Sequence, residues 1–74
     1  MEIAEAFGHV LRKRRKEANL SQEQLALQSD LDRTYIGLLE RAQRQPSLST
    51  LFSICQVLEV QPHILIKEVE DLIN

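Results

Sequence analysis

Between Ser21 and Leu39 the sequence encodes two short helices with almost no chain between them, and this spacing constrains the fold more than any other feature. Ser21-Gln22-Glu23-Gln24 is a capping box. The serine hydroxyl can accept from a backbone N–H of the first turn, and the Gln24 amide can reach back to the serine N–H. A helix is expected from Gln22 to Ser29, with Leu25 and Ala26 turned inward. Asp30 and Leu31 then make a tight turn. Asp32 is positioned to cap a second helix from Arg33 to Arg41, whose inward residues are Ile36 and Leu39. Ala26 is small where the two helices cross, and Leu31 and Ile36 fill the space beneath the turn. This is a helix-turn-helix layout, in which the second helix can enter the major groove of DNA.

The flanking segments are helical as well. Phe7, Val10, Leu11 and Ala18 share one face of a first helix from Ile3 to Ala18, which Asn19 can end in the left-handed conformation. A polar loop from Ala42 to Pro46 precedes Ser47, the cap of a helix from Leu48 to Leu58. Its apolar residues are Leu48, Leu51, Phe52, Cys55 and Leu58. Gln61-Pro62 opens a fifth helix over 62–73, since proline suits a first helical turn. No segment alternates with period two for long enough to be a strand. The expected fold is all-α, five helices in one domain spanning 1–74, with 62–73 as a C-terminal dimerisation helix.

Size and composition narrow the function classes. A 74-residue core seldom supplies more than about 3–5 kcal/mol without a staple or a partner. Cys55 alone cannot form an internal disulfide, and Cys55, His9 and His63 lack zinc-site spacing, so neither metal nor cofactor is expected. Oligomerisation is the expected remedy. Cys55 reads as a small apolar core filler. No apolar run approaches the ~18–20 residues of a membrane span. The acidic Met1–Glu5 start is unlike a secretory signal, and a free thiol fits a reducing cytoplasm. The length leaves no room for a sensor, so no small-molecule ligand is expected.

The stretch from Leu11 to Leu58 resembles the phage repressor and Cro-type (XRE-like) helix-turn-helix family. The resemblance is carried by Leu20-Ser21-Gln22-Glu23-Gln24-Leu25-Ala26, Leu31, Tyr35-Ile36, Leu39-Glu40-Arg41, Pro46-Ser47-Leu48 and Leu58-Glu59-Val60. It implies a five-helix, lambda-repressor-like DNA-binding domain. A narrower resemblance, on Leu31-Asp32-Arg33-Thr34-Tyr35-Ile36, Glu40-Arg41 and the short length, is to the controller proteins of bacterial restriction–modification systems. Those are small dimeric regulators that time endonuclease expression. Three positions depart from the pattern: Asp30 and Ala42 stand where the family often has Gly, and Arg14 where it usually has Leu or Ile.

Position then assigns roles. Arg33, Thr34 and Tyr35 lie at the N-terminal end of the second helix of the motif, where side chains meet base edges. Arg33 can pair with guanine O6 and N7 through two parallel bonds. Thr34 can meet a thymine methyl or donate to a phosphate, and Tyr35 can donate to a phosphate or cover a base. The resemblance implies that Gln22 holds a phosphate. Gln43 and Arg44, in the loop, and Ser47 and Ser49, at the start of the fourth helix, are placed to contact the DNA backbone. The resemblance also implies that Arg15 pairs with Glu40 as a structural lock. The other residues of the run Arg12-Lys13-Arg14-Arg15-Lys16 add general attraction to phosphate or are solvated. The stem of Arg14 is expected along the core edge with its guanidinium in solvent. Glu68, Glu70 and Asp71 read as a solvated face.

The fifth helix carries two apolar stripes. Leu65, Val69 and Leu72 form one, Ile66, Val69 and Ile73 the other, with Ile64 beside them. One can close the core and the other is left for a homodimer. The net charge of −2 divides unevenly: residues 1–45 carry +1 and residues 46–74 carry −3. The acidity belongs to the dimer end. The leading reading is a homodimeric transcription regulator on a palindromic operator of double-stranded DNA, bacterial or phage-encoded, autoregulating its promoter. Contact with RNA polymerase is compatible with it. The second reading is an antitoxin or phage-type repressor that neutralises a protein partner through the fifth helix and represses its own operon. An enzyme is not expected.

Overall fold

The computed structural model describes residues 1–74 as five α-helices: α1 Ile3–Glu17, α2 Gln22–Gln28, α3 Tyr35–Glu40, α4 Leu48–Leu58 and α5 Pro62–Ile73. No strand is present. α1 lies at the centre, packed on α3 on one side and α5 on the other, while α2 packs on α3 and α4. Leu11, Leu25, Ile36, Leu39, Ile54 and Leu65 are the large side chains wholly withdrawn from solvent. They come from all five helices, so no helix pair has a core of its own.

The caps form as their chemistry requires. The Gln24 N–H donates to Ser21 Oγ (3.0 Å) and the Ser21 N–H to Gln24 Oε1 (2.8 Å). Ser47 Oγ accepts from the Thr50 N–H at 3.1 Å. α1 to α4 all end alike. The N–H two residues past each last helical turn bonds back six positions, as Leu20 to Arg15, Leu31 to Ala26, Gln43 to Leu38 and Val60 to Cys55. The residue before each donor sits in the left-handed region: Asn19 (φ 59°), Asp30 (φ 60°), Ala42 (φ 60°) and Glu59 (φ 55°). These are Schellman closures, which usually place glycine there. Asn and Asp tolerate the conformation, whereas Ala and Glu adopt it at a cost of about 1 kcal/mol or more. The short turns therefore survive without glycine.

Several sequence expectations are corrected. α3 begins at Tyr35, not Arg33. The Asp32 carboxylate takes the Thr34 N–H (3.0 Å) and the Asp32 carbonyl takes the Tyr35 N–H (2.9 Å). Arg33 and Thr34 thus form a tight leading turn beneath the Asp32 cap. Ala18 is exposed, because α1 ends at Glu17 and the chain swings away to Asn19. Leu48 and Phe52 are exposed, and Ile54 takes the inward place on α4. Leu65 is wholly buried and Val69 almost so. That stripe of α5 closes the core, which removes Leu65 from any docking surface.

The charged residues expected in solvent are partly paired. Arg14 Nε donates to Glu68 Oε1 at 3.2 Å, and its Nη2 bonds the second carboxylate oxygen. The α1–α5 contact is what brings them together. The pair holds the Glu68 carboxyl below its usual range and pushes the Arg14 guanidinium up.

Gly8 marks the tightest approach in the fold. A Cβ there would lie 2.6 Å from the Leu39 carbonyl oxygen and 2.7 Å from that of Glu40. The end of α3 rests directly on α1, and only glycine permits it. Cys55 is buried, and desolvation pushes its thiol pKa up, as a core residue's should be.

Candidate nucleic-acid interface

The base-reading end of α3 is mounted on a buried polar lock. Arg15 Nε and Nη2 donate to the two oxygens of Glu40 at 2.6 and 3.1 Å, and Arg15 Nη1 donates to the Leu20 carbonyl at 2.9 Å. Gln22 Nε2 donates to Glu40 Oε1 at 2.9 Å. The side chains of Arg15 and Glu40 are 10% and 4% exposed, so the attraction is little screened by water. One carboxylate thereby joins the C-terminal part of α1, the chain entering α2 and the last residue of α3. The angle of α3 follows from charge-assisted hydrogen bonds, which are directional.

This lock changes the expectation for Gln22. Its amide N–H points inward to Glu40 and is not free for a phosphate. Its Oε1 lies toward α3, 3.1 Å from where a Cβ on Gly37 would stand.

Arg33 and Thr34 are exposed and Tyr35 is half-buried, its ring against the core. Arg33 has no ion-pair partner. The Thr34 hydroxyl donates to Asp32 Oδ1 at 2.8 Å, leaving its methyl and lone pairs outward. Together with the Thr34 N–H, this bond holds the Asp32 carboxyl below its ordinary range. The turn that presents Arg33 is thus fixed by an ionised aspartate.

Gln43, Arg44, Ser47 and Ser49 are all exposed between α3 and the start of α4. The Ser47 hydroxyl is occupied, accepting from the Thr50 N–H and donating to Thr50 Oγ1 at 3.0 Å. Arg44 and Ser49 have no side-chain partner within the chain.

Between the start of α2 and the face of α3 lies a notch of about 340 Å³ lined by Gln22, Glu23, Arg33, Thr34, Gly37 and Arg41, none of them apolar. Arg41 belongs to no motif that would single it out. The available signal is Gly37, one helical turn earlier, where a side chain would otherwise stand.

Of the α5 residues expected at an interface, Ile64, Ile66, Leu72 and Ile73 are each between 37% and 46% exposed. Ile66 borders an apolar groove with Ile3, Phe7, Pro46, Leu48 and Val69. Leu48 (76%) and Phe52 (58%) on α4 are more exposed than any of the α5 residues.

The comparisons with known proteins agree with this geometry. Residues 11–65 match the helix-turn-helix family model, described as "Helix-turn-helix". The chain is 44% identical over 69 residues to the control protein C.SmaI of Serratia marcescens, covering 92% of this chain and 82% of that protein. It is 38% identical over 61 residues to the immunity repressor of Bacillus phage phi105, covering 82% of this chain but 42% of the repressor. The crystal structure of the restriction-modification controller protein C.AhdI from Aeromonas hydrophila superposes with a TM-score of 0.81 at 42% identity, over 84% of this chain and 94% of that one. Controller proteins are thus matched over most of their length and the phage repressor over less than half. The chain belongs to the helix-turn-helix family and, within it, to the restriction-modification controller proteins, which are DNA-binding regulators of transcription.

Proposed function

We propose that the protein is a homodimer that binds a palindromic operator and regulates its own promoter by occupancy, acting by binding and not by catalysis. The observation that carries this reading is Arg33: an exposed, unpaired guanidinium on a turn pinned by Asp32, at the leading end of a helix locked to α1 by Glu40. Arg33 and Thr34 read base edges, with Tyr35 beside them on the backbone or a base. Arg44, Gln43 and Ser49 hold the phosphates that flank the groove. Ser47 contributes mainly by ordering the start of α4, and Gln22 by positioning α3 through Glu40.

Dimerisation uses Ile64, Ile66, Leu72 and Ile73 of α5 together with Leu48 and Phe52 of α4, an apolar surface larger than isolated exposed residues explain. Val69 supports this surface from beneath, and Leu65 belongs to the core. A two-fold dimer sets two α3 ends on half-sites about 34 Å apart, one turn of DNA. Such a regulator works in the cytoplasm of a bacterium or a phage-infected cell, where its operator is.

Selection from random duplexes with the full chain tests the reading. A two-fold symmetric consensus is expected, and Arg33→Ala should relax base preference by ~1–3 kcal/mol at one position of each half-site. Recovery of no duplex above background would overturn DNA recognition. Sedimentation tests the dimer separately: Ile66→Asp should sediment as a folded monomer where the parent is a dimer. A dimeric Ile66→Asp variant would put the interface elsewhere.

A further inference from the structure

We infer that Arg41 is a further DNA-contacting residue and that Gly37 is the seat that aims it. The inference rests on the operator-binding reading above. Arg41 caps the C-terminal end of α3, and its side chain folds back along the helix. Its Nη1 lies 2.9 Å from where a Cβ on Gly37 would stand, and Gln22 Oε1 lies 3.1 Å from the same point on the other side. Gly37 is buried, with the Arg41 guanidinium its nearest cover and the Gln22 amide next.

The placement brings a second arginine into the notch that holds Arg33 and Thr34. Neither arginine has an ion-pair partner, so both charges are available. Glu23 is the one carboxylate lining the notch, which leaves a net positive charge facing the DNA side of α3. The nearby Glu40 is already neutralised by Arg15. A notch with no apolar lining, two free guanidinium groups and an amide oxygen suits a phosphodiester at the rim of the major groove. Arginine holds such a group through two parallel N–H bonds. An arginine lying this low on α3 needs the space over Gly37. Any side chain there would push the guanidinium out of the notch, cheaply, because only the flexible end of Arg41 has to move.

Glycine within a helix is destabilising relative to alanine. Gly37→Ala should therefore raise the melting temperature while weakening DNA binding, a combination that a purely structural role for Gly37 would not produce. The test measures binding of the parent, Arg41→Ala, Gly37→Ala and the double variant to a duplex recovered by selection with the parent chain, across a salt series. Arg41→Ala should weaken binding about tenfold, alike for selected and scrambled duplexes. It should also flatten the slope of log affinity against log salt by about 0.9. Gly37→Ala should weaken binding by a similar factor with its thermal midpoint unchanged or raised. The double variant should be no weaker than Arg41→Ala alone.

If Arg41→Ala keeps the parent's affinity and salt slope, the contact does not exist. If the two losses multiply in the double variant, Gly37 does not act through Arg41. Should Arg41→Ala lose its fold, Gly37→Ala carries the test, and parental affinity in that variant overturns the inference. A parent chain that selects no duplex would overturn the operator reading itself, a result distinct from any of these.

Discussion

The two ends of the molecule are held by different physics. At the end carrying α2 and α3, one buried carboxylate organises the structure: Glu40 receives Arg15 and Gln22, and Arg15 reaches on to the Leu20 carbonyl. At the end carrying α4 and α5, contact is mainly aliphatic, through Leu51, Ile54, Leu65 and Val69, with one part-exposed ion pair at the edge. Hydrogen bonds between charged groups specify direction, whereas apolar burial specifies area and is indifferent to direction. A recognition helix must be aimed, so its support is polar. A docking face must present surface, so its support is apolar. The charge division of +1 and −3 between residues 1–45 and 46–74 follows the same line.

The largest expected effect tests the polar end. Glu40→Gln keeps the shape and removes the charge, leaving Arg15 buried without its counterion. The cost should be about 3–5 kcal/mol, enough to leave a domain of this size largely unfolded. Urea unfolding followed by circular dichroism reads it, and a loss under 1 kcal/mol (roughly the worth of a surface pair) would show that the lock is not what aims α3.

The matching substitution at the apolar end should be mild. Leu65→Met conserves volume at a wholly buried site and should cost under about 1.5 kcal/mol in the same titration. If it costs as much as Glu40→Gln, the contrast between the two ends fails.

A smaller gain is expected at the loop that joins them. Ala42 adopts φ 60° in the Schellman closure of α3, so Ala42→Gly should stabilise by about 1 kcal/mol. Thermal unfolding measures it, and an unchanged or lowered midpoint would mean that glycine's unfolded-state entropy outweighs the relieved strain.

The smallest effect is that of the Arg14–Glu68 pair. Glu68 is depressed in the folded state, so its contribution is present above the ordinary glutamate value of 4.5. It is lost as pH falls below that toward the folded value. With both side chains near 28% exposed, the contribution should stay within about 1 kcal/mol. Comparing the parent with Glu68→Gln from pH 7 to pH 3 should show a stability difference that closes on acidification. A difference that persists at pH 3 would assign the effect to packing.

Much of this arrangement was legible in the residues. The capping serines, the turn between α2 and α3, and the left-handed Asn19 and Asp30 depend on neighbours within a few positions, and a linear sequence displays those. Glu59 in the same role was not visible, because glutamate has no preference for that conformation; the closure onto Cys55 imposes it. The start of α3 was misplaced by two residues because the Asp32 cap can open either a regular helix or the tight turn that forms. Arg15–Glu40 was accessible through the family resemblance, while Arg14–Glu68 was not, since 54 positions separate its partners and only the α1–α5 packing joins them.

By itself, then, the sequence determined the five helices, their caps and the short motif turn, because these follow from local hydrogen bonding and from the period of apolar residues. It also determined that apolar surface would exceed what one small core can hide. Only the tertiary structure decided which apolar residues are hidden. Leu65 and Val69 turn inward while Leu48 and Phe52 remain outside, and Gly8 and Gly37 make room for a backbone and for a guanidinium. Those outcomes depend on the angles at which helices cross. Crossing angles are set by all five helices packing around one core, and no single segment encodes them.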